Sequence, residues 1–139
     1  MTRCSSHDPN GNYRRNIHDR IFKEHFAAGN LPIDALICAA PSRGGCIEPA
    51  DRLALWEFSV WDGTRSEARD TFPTDNNQFR VVRYESCRGL EGWTVVCHDF
   101  DRFYLHRLHY AERRPTGQLF SDEEYAKLQA SQWLLIPLT

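Results

Sequence analysis

The sequence contains no long hydrophobic run. Nothing in its 139 residues approaches the roughly 18 consecutive apolar positions of a membrane-spanning helix, so a helical span is excluded. The opening Met1-Thr2-Arg3-Cys4-Ser5-Ser6-His7-Asp8 lacks the apolar centre of a secretory leader. The five cysteines include no Cys-x-x-Cys pair, and their odd number argues against a disulfide framework. Structural zinc needs closely spaced ligand pairs, which these cysteines do not supply. Cys38 and Cys97 lie inside apolar runs, where a free thiol behaves as a small hydrophobe. With the missing leader, they predict a reducing, cytoplasmic setting. Positive charge is not in excess either. Seventeen basic against nineteen acidic side chains give a net charge of −2, which excludes a basic coat for nucleic acid but leaves local patches open.

What remains is the composition of one soluble domain, 41% apolar and 26% charged. Residues 1–13 are polar and carry the turn signal Asp8-Pro9-Asn10-Gly11, so they read as a loose leading segment. Ile17, Ile21, Phe22 and Phe26 recur at helical spacing up to the stop at Gly29-Asn30. The run from Ile33 to Ala40 is nearly all apolar, as a strand buried on both faces should be. Pro49 is placed to open a helix reaching about Phe58, and a short strand follows to Trp61. Phe79–Tyr84 and Trp93–Cys97 read as strands on either side of a glycine-containing loop, with Trp93 as a core anchor. Helices over about 99–114 and from 121 toward Leu135 complete the chain, the second opened by the capping box Ser121-Asp122-Glu123-Glu124. Such an order predicts an α/β fold. Ligands on these sheets bind at the carboxyl ends of strands, which draws attention to the loops Pro41–Gly45 and Glu85–Gly92.

The second loop carries a resemblance. Arg80-Val81-Val82-Arg83-Tyr84-Glu85-Ser86-Cys87-Arg88-Gly89-Leu90-Glu91-Gly92-Trp93-Thr94-Val95-Val96 resembles motif V of superfamily 1 DNA helicases of the UvrD/Rep type. In that family a strand leads into a loop reading roughly histidine-serine-alanine-lysine-glycine-leucine-glutamate-aromatic, and a second apolar strand follows. Ser86, Gly89, Leu90 and Glu91 match directly, and Arg88 stands for the lysine. Trp93 stands for the aromatic after a one-residue insertion at Gly92, and Glu85 replaces the histidine. Ile33 to Ser42 is similar to the strand that opens the second RecA-like domain. Trp133-Leu134-Leu135-Ile136-Pro137-Leu138-Thr139 is similar to the approach to motif VI, stopping before its arginine.

The resemblance implies that residues 14–139 form part of a second RecA-like domain, with a mostly parallel sheet flanked by helices. It also implies a role in an ATP-dependent DNA helicase. Gly89 and Glu91 would then contact nucleotide, Glu91 at the ribose, and Ser86 and Arg88 would lie toward single-stranded DNA. The chemistry of the side chains is compatible: arginine offers a planar charged fork for phosphate, and an ionised glutamate accepts from neighbouring hydroxyls. ATP and Mg²⁺ would serve the intact helicase, with the phosphate-binding loop supplied by the first RecA-like domain. This chain has no Gly-x-x-x-x-Gly-Lys-Ser/Thr of its own, so no tight cofactor binding and no turnover in isolation are expected.

Two other readings stand beside it. One is a non-enzymatic interaction module, a helicase-like remnant that binds nucleic acid or a protein partner; the bland alternative for Arg88 and Glu91 themselves is a solvated pair on a turn. The other is a small metal-dependent hydrolase built on Asp99, Asp101, His98, His106 and His109, the last two separated by one helical turn. Arg43 beside Gly44-Gly45 and the arginines Arg102, Arg107, Arg113 and Arg114, interleaved with Phe103, Tyr104 and Tyr110, are further candidates for phosphate contacts.

Overall fold

A computed structural model describes residues 12–42, 44–68, 70–113 and 121–135 of the chain. Four strands form one sheet: β1 (Ala35–Ala39), β2 (Val60–Asp62), β3 (Phe79–Arg83) and β4 (Thr94–Cys97). Every pairing is parallel, in the order β2-β3-β1-β4. Helices α1 (Asn12–Ala27), α2 (Pro49–Leu55), α3 (Phe100–Glu112) and α4 (Asp122–Leu134) flank it. The expected α/β class with a parallel sheet is therefore what the chain adopts. All five residues of β1 are buried, which explains its unbroken apolar sequence.

The side chains of β1 divide two cores. Ala35, Ile37 and Ala39 join Phe79 and Val81 on the face covered by α1 and α2. There Phe22 stacks on Phe79 with ring centroids 4.3 Å apart and meets Phe58 edge-on. The buried stripe of α1 is rotated from the expected one, however. His18, Phe22 and His25 are buried, whereas Ile17 and Phe26 sit at the exposed margins. The histidines tolerate burial because their ring nitrogens are bonded. His25 joins Thr94 Oγ1 through Nδ1 and Leu31 O through Nε2, and His18 Nε2 meets His98 Nε2 at 2.7 Å. These contacts run α1 antiparallel to β4.

On the opposite face, Leu36, Cys38, Ala40, Val82, Tyr84 and Cys87 pack with Phe103 of α3. Arg107 of α3 lies over the Trp133 ring of α4 at 3.5 Å from its centroid, which ties the two helices together. The predicted capping box opens α4: Glu124 N donates to Ser121 Oγ, and Ser121 N donates back to the Glu124 carboxylate. Among the described residues no helix is long and apolar enough to cross a membrane. Residues 1–11 of the leading segment, Arg43, Arg114 and the run 136–139 lie outside the described residues.

Two expectations fail. Trp93 is 80% exposed and not a core anchor. It precedes β4, an edge strand whose exposed Val95 points to the same face, so no layer covers either side chain there. Cys38, Cys87 and Cys97 are free thiols, but Cys46 is disulfide-bonded. The argument for reduced thiols came from cysteines in apolar strands and did not extend to one in a polar loop.

Candidate functional site

Two of the three strand connections lack an α-helix, and the one from β3 to β4 is the shorter. Parallel strands are ordinarily joined through a helix, as β1 and β2 are through α2. Between β3 and β4 the chain instead makes a single 3₁₀ turn (Tyr84–Ser86) and crosses β1 as an extended strap. The strap leaves the carboxyl end of β3 and returns to the amino end of β1. At Gly92 a Cβ would stand 3.0 Å from Leu36 Cβ, 3.1 Å from Asp34 O and 3.2 Å from Leu36 N. Glycine thus permits a close approach to backbone that a Cβ would crowd, which gives Gly92 a physical role. Gly89 differs: its φ is +78°, and the space where a Cβ would project is empty.

This path decides where the residues of the Glu85–Gly92 loop lie. Ser86, Arg88, Gly89, Leu90 and Glu91 are all exposed, while Cys87 between them is buried. Cys87 anchors the strap by donating its Sγ–H to Tyr84 O at 3.0 Å, and Leu90 N closes a turn on Cys87 O. Further along, Arg80 Nη2 donates to Glu91 O at 2.7 Å. Arg80 belongs to the start of β3, so the loop Glu85–Gly92 spans the height of the sheet and is not confined to its carboxyl edge.

Beneath the strap lies a cavity of about 630 Å³. Trp61, Phe72, Pro73, Val82 and Leu90 provide apolar walls, and Asp34, Arg80, Ser86 and Glu91 provide polar groups. Ser86 and Glu91 are thereby brought together, whereas Arg88 and Gly89 are not among the lining residues. The floor follows from strand register. Trp61 pairs with Arg80 and Arg80 with Leu36, so their side chains leave the sheet in one cross-strand row. The helices α3 and α4 cover the next rows toward the carboxyl edge and leave this one open. Gly63 lets the indole fold back, since a Cβ there would stand 2.4 Å from the ring of Trp61.

Arg80 and Trp61 each hold a buried nitrogen without a partner, Nε and Nε1 respectively. Burial pushes the Arg80 guanidinium below its ordinary pKa, and nearby Asp34 opposes that shift. Asp34 Oδ2 in turn accepts from Leu31 N. Sequence reading missed Arg80, Trp61 and Asp34 because each looks like an ordinary strand or turn residue until the register aligns them.

The carboxyl edge is built differently. The direction of the crossovers reverses between β1 and β3, and at that point arginines hold the chain after β1. Arg83 donates to Ala40 O and pairs with Glu48 at 2.9 Å, and Arg102 donates to Pro41 O at 3.0 Å. A hollow of about 280 Å³ beside Pro41 and Ser42 is lined by Arg102, Leu105, His106 and His109. In the core on this face the Cys38 thiol is hydrogen-bonded to those of Cys87 and Cys97. A hydrogen bond from Cys38 draws the Cys97 thiol down to about 6 against the opposing effect of burial. Hydrogen bonding and burial push Cys38 the other way, so it remains the protonated donor.

The residues of the metal-hydrolase reading are dispersed. His98 contacts His18, Asp99 precedes α3 within ion-pair range of Arg102, and His109 faces Glu112. Among the described residues no three His, Cys, Asp or Glu side chains converge to hold a metal ion. Comparison with protein-family models finds no match, and comparisons with curated proteins and with solved structures find none either.

Proposed function

We propose that the chain is part of the second RecA-like domain of a superfamily 1 DNA helicase and supplies one wall of a nucleotide and single-stranded DNA cleft. The observation that carries this reading is the placement of Ser86-Cys87-Arg88-Gly89-Leu90-Glu91. The motif lies on a strap between two parallel strands, with every residue but the anchoring cysteine turned to solvent. Arg88 presents a permanent positive charge to a phosphodiester backbone, and Ser86 adds a hydroxyl donor. Open space above Gly89 permits close approach of a ligand to the backbone. Glu91 offers acceptors to a ribose diol. The phosphates of ATP and their Mg²⁺ have no seat among these residues and fall to the first RecA-like domain, the partner in this reading.

Fluorescence anisotropy with a labelled single-stranded oligonucleotide at two salt concentrations tests the proposal. The expected result is sequence-independent binding with a dissociation constant of roughly 10⁻⁴ to 10⁻⁶ M, weakened by salt and by Arg88→Ala. Tight binding that ignores salt, or binding indifferent to Arg88, would overturn it.

A further inference from the structure

We infer that Cys97 and Cys38 form a redox site, in which a hydroperoxide oxidises Cys97 and Cys38 then closes a disulfide with it. The site lies apart from the cleft proposed above and follows from how the sheet places its cysteines. Cys38 of β1 and Cys97 of β4 are directly paired in the parallel register, so their side chains leave the same face of adjacent strands. Strands so paired stand about 4.8 Å apart, within the roughly 4.4–6.8 Å Cα separation that a disulfide spans. Both thiols belong to the core on the face of α3, Cys38 inside it and Cys97 packed against it.

Their environments divide the chemistry. Cys38 and Cys87 are buried, at 0% and 3% exposure, whereas Cys97 is only partly buried. An oxidant from solution therefore meets Cys97 first. The hydrogen bond from Cys38 holds the Cys97 thiol at about 6, so at neutral pH it is mostly the nucleophilic thiolate. Cys38 keeps its proton and serves as the resolving thiol beside it. With hydrogen peroxide as oxidant, Cys97 Sγ attacks a peroxide oxygen, the S–O bond forms, the O–O bond breaks and hydroxide leaves. Cys97 is thereby oxidised to a sulfenic acid and the peroxide is reduced. Cys38 gives its proton to that hydroxide, forming water, and attacks the Cys97 sulfur. The S–S bond forms, the S–O bond breaks, and the second hydroxide takes a proton from solvent.

Peptide mapping by mass spectrometry, after treating the whole chain with a small excess of hydrogen peroxide, is the test. A cross-linked pair of peptides containing Cys38 and Cys97 is expected, lighter by two hydrogen atoms and separated by dithiothreitol. In urea the fold no longer selects the pair, and Cys87 and Cys97, the nearest of the three in sequence, should link instead. Cys38→Ala removes the resolving thiol and should leave a sulfenic acid at Cys97 that dimedone traps. That variant should also react more slowly, because the hydrogen bond favouring the thiolate is gone. Cys97→Ala should leave Cys38 and Cys87 reduced. Far-ultraviolet circular dichroism verifies that each variant folds, and the wild-type map decides the matter where one does not. Unreacted thiols, a Cys38–Cys87 link or direct conversion of Cys97 to sulfinic acid in the folded wild-type chain would overturn the inference. So would a Cys38–Cys97 link formed equally well in urea.

Discussion

The two faces of the sheet are built on different principles. One is closed by α1 and α2 over aromatic and aliphatic side chains, with Phe22, Phe79 and Leu53 almost fully buried. Even its two buried histidines have hydrogen-bond partners. The other is closed only toward the carboxyl edge, where α3 and α4 lie. Its remaining row, Trp61–Arg80–Leu36–Val95, is roofed by a strap without a helix or left bare at Val95. A β-strand alternates its side chains between faces, so β1 and β3 serve both surfaces at once. Both faces carry a core, but the cavity lies on the second, beside its core of Val82, Tyr84 and Phe103.

The sharpest test of that division is truncation at the closed face. Phe22→Ala removes a ring that stacks on Phe79 and meets Phe58 and His18. A loss of about 3–5 kcal/mol is expected in urea unfolding. Such a loss is a large fraction of the roughly 5–15 kcal/mol total stability of a domain, so the variant should unfold at a much lower urea concentration. A loss below about 1 kcal/mol would mean that α1 contributes little and that the faces are not so unequal.

Gly92→Ala tests the strap. The methyl would press on Asp34 O and Leu36 N, which are backbone and cannot rotate away. Overpacking of this kind costs about 1–3 kcal/mol. Wild-type stability in the variant would show that the strap floats above β1.

Much of this was legible in the sequence, for identifiable reasons. β1 could be read because a strand buried on both faces has no polar alternation, and α4 because Ser121 and Glu124 form a local cap. The strap was legible as a loop but not as a crossing, because its path depends on which strand lies between its ends. The order β2-β3-β1-β4 is a non-local fact, and the alignment of Trp61 with Arg80 follows only from it. The phase of α1 was misjudged because histidines were counted as polar, and hydrogen bonds to Thr94, Leu31 and His98 came from distant parts of the chain or its own turn.

A smaller and opposite effect is expected at the end of α2. Phe58 N donates to Leu53 O and Glu57 N to Ala54 O, a C-terminal arrangement that usually places glycine where Glu57 stands. Glu57 has φ of +66°, in the left-handed region that disfavours a Cβ. Glu57→Gly should therefore stabilise the closed face by about 0.5–1 kcal/mol, after allowance for the greater freedom of glycine in the unfolded chain. Destabilisation in the same unfolding assay would show that the glutamate side chain contributes more than the strain it introduces.

The smallest change in stability is expected at Arg88, and there it is most informative. Arg88 is exposed and sits on the strap outside the cavity lining. Removing a solvated side chain away from any core or cap changes stability by less than about 0.5 kcal/mol. Arg88→Ala should thus unfold at the wild-type urea concentration while losing affinity for single-stranded DNA. Each phosphate contact removed lowers the slope of log affinity against log salt by about 0.7 for a single strand, so the variant should also be less sensitive to salt. Loss of stability together with binding would place Arg88 in the architecture of the open face. Loss of binding alone would identify it as a residue kept at the surface for an external partner.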